Sequence, residues 1–460
     1  METKKFKMGP KTAATFVIAN MIGTGVFTSL GFQLFSTTNP VSIALIWIIG
    51  GLTALCGAVV YSELGAAMPR SGGEYHFLSK IYHPSVGFLS GWVSLIVGFA
   101  APVALACMAL SSYVCKIFPS LSEETLPMLK TIIALVTLSL ITLVHLFSKK
   151  FGTTVQNILT IAKILIILVF IVAGFFFCEA DGSSNFSNSS FDLNDIFSVG
   201  FAVSLIWVYY AYSGWNAAAY ISGDIKNPQR NVPLAMMAST FFVAVLYVAL
   251  NMVFLRTAPV SEMTGEIEVG LISAQHVFGT DFGNVMGILI AVMLASSISS
   301  MVYVGPRVGM TMGEDHHLFR FLTWKNKSDC PSVAVALQWL ISVVMILTNS
   351  FEEVTKYTGI VLSFCSLLTV AGVFVHRHRY PDSPRPYKTW GYPLTPIIFC
   401  LFIICSISFL VYQDFHKTFG EVDVNDQQSA PWTTIASVGT LLLGCLMWYI
   451  NKLTSRRVDE

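Results

Sequence analysis

Few residue types in this chain could do chemistry, and the one most out of place is Lys163. It interrupts the apolar run TIAKILIILVFIVAGF, nine positions after Thr154, or about 13 Å along a helix. An ammonium at that depth in a bilayer costs several kcal/mol unless it is paired or wetted, and it marks a functional site by default. Its side chain reaches about 6 Å, too short to snorkel to the interface. The other reading is an ammonium that substitutes for a bound cation, touching carbonyls freed by a break in a neighbouring helix. Desolvated there, it could also carry a proton. Two further points are Gly23-Thr24-Gly25 within FVIANMIGTGVFTSLGF and Ser213-Gly214 within IWVYYAYSGWNAAAYISG. Glycine costs about 1 kcal/mol against alanine inside a helix, and in lipid the freed backbone groups find no water. Either point alone reads equally well as a site of close helix packing. Together they suggest two broken helices, whose free N–H groups attract an anion and whose free C=O groups attract a cation. A free α-amino acid carries both charges a few ångströms apart, so it fits better than a sugar or a lipid. The HRHRY run at 376–380 and Asp315-His316-His317 lack the ligand number and spacing of a metal site. No nucleophile–base pair or phosphate-cradling loop stands out. No metal, no cofactor and no enzyme activity is expected.

These residues need a membrane to position them. Of 460 residues, 54% are hydrophobic and 12% charged, about half the charge of a soluble protein. Mean hydropathy is +0.67, and so much apolar surface does not fit into one soluble core. A net charge of +1 gives no basis for binding nucleic acid. Twelve apolar runs, each long enough to cross a bilayer, begin near Lys11, Asn39, Ser85, Leu129, Thr154, Leu193, Asn231, Asp281, Pro331, Phe351, Pro393 and Trp432. They are too continuous for a β-barrel. The expected fold is an all-α membrane protein of twelve transmembrane helices in a single domain, 1–460. Its parts are a first five-helix repeat over 11–178, a second over 193–375, and helices 11 and 12 over 393–452. An odd-numbered repeat inserts its second copy upside down, which is the inverted-repeat plan of secondary transporters. Each glycine point lies in the first run of a block. The stretch 262–278 reads as an interfacial helix.

Alternate loops divide the basic residues unevenly: 21 of the 27 Lys and Arg lie on one side. By the positive-inside bias both termini are cytoplasmic. No cleavable signal peptide is evident. The nine cysteines show neither a metal spacing nor a disulfide framework, and read as small packing residues. The outer loop 181–194 carries acceptor sequons at Asn185 and Asn188, usable only in a eukaryotic host.

Four segments carry a resemblance: IGTGVF at 22–27, YSELGAAMPRSGGEY at 61–75, YAYSGWNAAAYISGDIKNPQRNVPLA at 210–235 and GPRVGMTMGEDHHLF at 305–319. They resemble the amino acid–polyamine–organocation permeases, in the L-type amino acid transporter branch and its prokaryotic relatives. The resemblance implies a LeuT-type 5+5 inverted repeat with helices 1 and 6 broken, and amino acid transport without sodium. It implies that the substrate carboxylate meets the N–H groups of Thr24, Gly25 and Val26, helped by the Thr24 hydroxyl. The amino group would meet carbonyls of Met21, Tyr210 and Ser213, with Ile22, Gly23 and Gly214 completing the two unwound stretches. Tyr210 stands where the family places an aromatic lid, and Trp215 where it places an inner wall. Asn216 would tie the unwound segment, although plain interhelical glue is an equal reading. Lys163 matches the position where a lysine amine replaces sodium.

Members of this family that take cationic substrates often place an acid in helix 6 or helix 3. Here Ser213 stands at the helix 6 position and helix 3 carries no acid, so neutral amino acids are expected. Glu63 is expected to tie down the loop that follows it rather than meet substrate. Animal members pair with a heavy chain through a cysteine after helix 3, and 117–127 contains none, so a heavy-chain partner is not expected. The resulting expectation is a sodium-independent secondary transporter of neutral L-amino acids in the cell membrane. It would work by rocking helices 1, 2, 6 and 7 against the rest, as an exchanger or a proton-coupled permease. A membrane nutrient sensor without transport and a carrier of cationic amino acids remain as alternatives.

Overall fold

Apolar runs free of charge fold as helices because a backbone in lipid must satisfy its own polar groups. The computed structural model describes residues 7–117, 124–147, 149–177, 182, 184–187, 198–328, 330–419 and 432–459. The first third holds α1 (Pro10–Met21), α2 (Thr24–Gln33), α3 (Pro40–Ala67), α4 (Glu74–Ile81), α5 (Pro84–Val93), a π turn (Ser94–Gly98) and α6 (Ala100–Lys116). Next come α7 (Leu126–Phe147), α8 (Lys149–Phe176), α9 (Ser184–Ser187), α10 (Val199–Tyr212), α11 (Ala217–Tyr220) and α12 (Pro228–Thr257). The chain ends with α13 (Val260–Met263), α14 (Val269–Asp315, two helical stretches joined at the non-helical Gly279), α15 (Ser332–Thr348), α16 (Phe351–Arg379), α17 (Leu394–Phe419) and α18 (Trp432–Asp459). Among the described residues there is no sheet, only an isolated bridge between Met8 and Ile225.

Among the described residues ten stretches are long and apolar enough to cross a membrane, while Gly200–Tyr212 and Ser332–Thr348 are shorter. The chain is a multi-pass membrane protein. The start of the expected sixth run at Leu193, Cys178 and the sequon at Asn188 lie outside the described residues. On α8, Ile158, Ile161, Leu165, Val169 and Val172 are exposed at helical spacing, while Lys163, Ile167 and Phe170 are buried. That stripe is the lipid-facing side of the helix, and it turns the lysine inward. Helix starts are set locally. Asn39 accepts from the N–H groups of Val41 and Ser42 ahead of Pro40 at the first turn, and Ser350 forms a capping box with Glu353.

The bundle has two distinguishable ends. At one, the Met8 N–H donates to the Asp224 carbonyl at 2.7 Å, Asp224 pairs with Arg307 at 2.9 Å, and Arg70 pairs with Asp315 at 2.8 Å. At the other, Lys116 pairs with Glu266 at 3.1 Å. Glu63 also belongs to the Met8 end, and there the expectation is corrected. Its carboxylate accepts from Arg377 at 2.9 and 2.6 Å and from the Thr389 N–H at 2.7 Å. It therefore ties the loop after α16, not the loop after α3, because the fixed fork of a guanidinium matches a carboxylate better than any donor nearby in sequence. The stretch 262–278 is helical in part, through the end of α13 and the part of α14 before Gly279. Val269, Gly270, Leu271, Ser273 and Ala274 are buried, and the Gly270 N–H donates to the Tyr113 hydroxyl, which itself donates to the Phe27 carbonyl.

Candidate functional site

Both glycine points interrupt their helices. α1 stops at Met21, and Ile22 (ψ 81°) and Gly23 (φ −119°, ψ −143°) leave helical geometry before α2 starts at Thr24. Thr24 and Gly25, expected inside the break, are instead the first turn of α2. The N–H groups of Thr24, Gly25 and Val26 consequently lack the usual helical acceptors, as every helix start does. The second break begins at Ser213 (ψ 156°) and continues through Gly214, whose φ of +96° favours glycine. Beyond it α11 is a single short turn.

The two breaks touch. A Cβ on Gly25 would fall 2.3 Å from the Ala211 Cα, and one on Gly214 would fall 2.8 Å from the Asn20 carbonyl carbon. Glycine at 25 is thus required by the approach of α10, not by the space a solute would need. The Thr24 hydroxyl lies 3.0 Å from the Tyr210 hydroxyl, which joins the start of α2 to the end of α10. Tyr247 donates to the Met21 carbonyl at 2.5 Å and to the Ala211 carbonyl at 3.2 Å. The Met21 carbonyl also accepts from the Gly23 N–H at 2.8 Å.

Lys163 is fully buried. Its Nζ donates to the Ile22 carbonyl at 2.6 Å and to Ser297 Oγ at 2.7 Å, and Ser297 donates to the same carbonyl at 2.8 Å. The ammonium therefore sits against a carbonyl that the first break has released. Asn20, two residues earlier on α1, donates to Ser300 Oγ at 2.8 Å. Through Ser297 and Ser300, α14 holds the end of α1 and the carbonyl released just after it.

Two cavities adjoin at the breaks. The smaller has about 290 Å³ of empty space and is lined by Met21, Gly23, Thr24, Gly25 and Ala211, among others. The larger has about 730 Å³, counting its open part, and reaches Glu74, Tyr209, Trp215, Asn216, Tyr220 and Ser366. Asn20, Pro102, Tyr210, Ser213 and Met301 line both. Trp215 packs edge-on against Tyr61 with ring centres 4.6 Å apart, and Asn216 donates to Glu74 Oε1 at 3.2 Å. Thus Met21, Gly23, Thr24, Gly25, Tyr210, Ser213, Gly214, Trp215 and Asn216 line two adjoining cavities with wall residues in common. Ile22 and Lys163 lie behind their walls, and Val26 is buried in α2.

Three features of these cavities escaped the sequence reading. One is the π turn at Ser94–Gly98, whose last residue and neighbours Phe99 and Pro102 line the larger cavity. Pro102 carries no N–H to offer the Gly98 carbonyl four residues back, and a π turn is a common outcome of such a lapse at functional sites. Another is Tyr247, one of many tyrosines in apolar runs and therefore without a signal of its own. The last is Glu74, which follows two glycines in a polar stretch where a carboxylate looks solvated. Burial raises its pKa above the ordinary carboxylate value.

The sequence pattern of the family described as Amino acid permease matches residues 8–442. The chain is 28% identical to the b(0,+)-type amino acid transporter 1 of Mus musculus over 404 residues, 87% of this chain and 82% of the relative. It is 26% identical over 414 residues to the large neutral amino acids transporter small subunit 2 of Oryctolagus cuniculus, covering 89% and 76%. The Homo sapiens protein of that same name is 28% identical over 423 residues, covering 89% and 76%.

Proposed function

Since the chain belongs to the amino acid permease family, within the amino acid–polyamine–organocation superfamily, and is a transporter of amino acids rather than an enzyme, we propose that it is a sodium-independent carrier of neutral L-amino acids working by alternating access. The observation that carries this reading is the pair of helix breaks meeting beside two adjoining cavities. α2 offers N–H groups of Thr24, Gly25 and Val26 to a carboxylate, and the stretch from Tyr210 to Ser213 offers carbonyls to an ammonium. The Met21 carbonyl would be shared with the Tyr247 hydroxyl. Tyr210 closes over the substrate, Trp215 forms the inner wall, and Asn216 holds the unwound stretch.

Lys163 at the Ile22 carbonyl supports independence from sodium, because a fixed ammonium there takes the place of a mobile cation. Ten crossing helices together with α10 and α15 support twelve crossings in a 5+5 inverted arrangement. The basic residues gathered at the Met8 end support a cytoplasmic position for both termini in the cell membrane. The carrier would act without a heavy-chain partner, as an exchanger or with protons.

A carrier of cationic amino acids is the second reading, and Glu74 favours it as the one carboxylate among the described residues that line the larger cavity. Three protein donors already occupy Glu74 Oε1, which weighs toward neutral side chains. The deciding experiment is uptake of labelled alanine, leucine and arginine into liposomes holding the purified chain, with and without sodium. Uptake of the neutral pair in both media is expected. A sodium requirement overturns the reading, uptake of arginine alone supports the cationic carrier, and binding without uptake indicates a sensor.

A further inference from the structure

Glu74 is a carboxylate placed where charge is costly, and no cation compensates it. It is 2% exposed. Its Oε1 accepts from the Tyr61 hydroxyl at 2.5 Å, from Asn216 Nδ2 at 3.2 Å and from Ser366 Oγ at 3.2 Å. Among the described residues no lysine or arginine pairs with it. The titratable groups that face it are Tyr61 on α3, Tyr209 on α10, Tyr220 on α11 and Cys365 on α16. None of these is a cation.

The donors come from different parts of the bundle. Tyr61 and Asn216 belong with the breaks: α3 packs on α10 and α12, and α11 packs on α1 and α12. Glu74 lies on α4, which packs on α5 and α16, and Ser366 lies on α16, which packs on α4, α6, α17 and α18 and also borders α3 and α10. One carboxylate oxygen therefore joins the stretch after the second break, and α3 beside it, to α4 and α16. It does so beside the larger cavity, on the side toward the Met8 end, where Arg70 just precedes α4 and pairs with Asp315.

We propose that Glu74 is a latch of the transport step: its carboxylate holds the stretch after the second break against α16, and its bonds to Tyr61 and Asn216 part when substrate leaves toward the Met8 end. The inference rests on the carrier reading above. A carboxylate suits the task better than an amide. Closed, it takes three hydrogen bonds on one oxygen, and bonds to a charged acceptor are the strong ones. Open, it meets water, and regained hydration offsets the bonds it gives up. The two arrangements can then lie close in free energy, as a carrier that must visit both requires.

The test uses the full chain in liposomes of known orientation, with labelled alanine and leucine offered from either face. Apparent affinity scales with the fraction of carriers open to the face that is offered substrate. Glu74→Ala is expected to favour opening at the Met8 end, lowering KM on that face relative to the other by about tenfold. Ser366→Ala, which removes the donor on α16, should move the ratio the same way by about threefold. Glu74→Gln, a weaker acceptor in the same shape, should fall between Glu74→Ala and the unsubstituted chain. A residue with only a structural role would lower the protein yield and kcat and leave the ratio of the two KM values unmoved. If Glu74→Ala does not fold, Ser366→Ala and Glu74→Gln carry the test, and an unchanged ratio in both overturns the latch. Absence of uptake by the unsubstituted chain overturns the carrier reading instead.

Discussion

A lysine can be buried without exposure only if its donors are used, and Lys163 spends two of them on the Ile22 carbonyl and Ser297. The charge was visible in the sequence because it is the one break in a long apolar run. Its partners were not, since Ile22 and Ser297 stand 141 and 134 positions away. Replacing a buried charge by an apolar group of similar length is often neutral for stability. Lys163→Met is therefore expected to unfold within about 1 kcal/mol of the unsubstituted chain, while uptake falls by about tenfold or more. Full uptake with the methionine in place would remove Lys163 from the mechanism. Glu74 is the opposite case. Nothing in SGGEY distinguishes a solvated loop acid from a buried one, and only the packing of α4 against α16 makes the difference.

The breaks themselves are properties of elements, and their two glycines are not equivalent. Around Gly25 the nearest obstacle is the backbone of Ala211, which cannot yield without moving α10, whereas nothing lies closer than 3.9 Å to a Cβ built on Gly23. Gly25→Ala is expected to lower the thermal unfolding temperature in detergent by several degrees, as overpacking by about 1–3 kcal/mol would do. Gly23→Ala should lower it less, because a Cβ there meets only ordinary van der Waals contacts. Equal losses from both would mean that the helices part at Gly23 for a reason other than space. Where a helix breaks was legible from glycine at mid-run. That the break falls one residue earlier, at Ile22, was not, because Thr24 and Gly25 can equally begin a helix or interrupt one. The π turn in the third crossing was signalled by Pro102, yet a proline alone does not say whether the helix kinks, ends or loosens.

Across the whole molecule, the Glu63–Arg377 pair joins α3 to the end of α16 and to the loop at Thr389. Glu63 is fully buried while Arg377 keeps some exposure and lies 3.8 Å from the centre of the Tyr392 ring. Removing Arg377 leaves the buried Glu63 carboxylate with Arg385 at 3.7 Å and the Thr389 N–H, so Arg377→Ala should cost up to about 3 kcal/mol. Arg377→Lys should recover part of that, because a point charge cannot reproduce a bidentate fork. Thermal unfolding of both variants in detergent checks the order. An alanine variant as stable as the unsubstituted chain would show that the pair does not hold the two helices. By itself the sequence determined that the chain lives in a membrane, where its helices run, which residues interrupt them and which family its motifs place it in, because hydropathy, glycine and charge act over a few turns of one helix. Only the tertiary structure decided that the breaks meet beside two adjoining cavities, that Ile22 receives the ammonium, that Glu63 reaches Arg377 and that Glu74 is buried. Those outcomes depend on side chains hundreds of positions apart arriving together, and no local pattern records that.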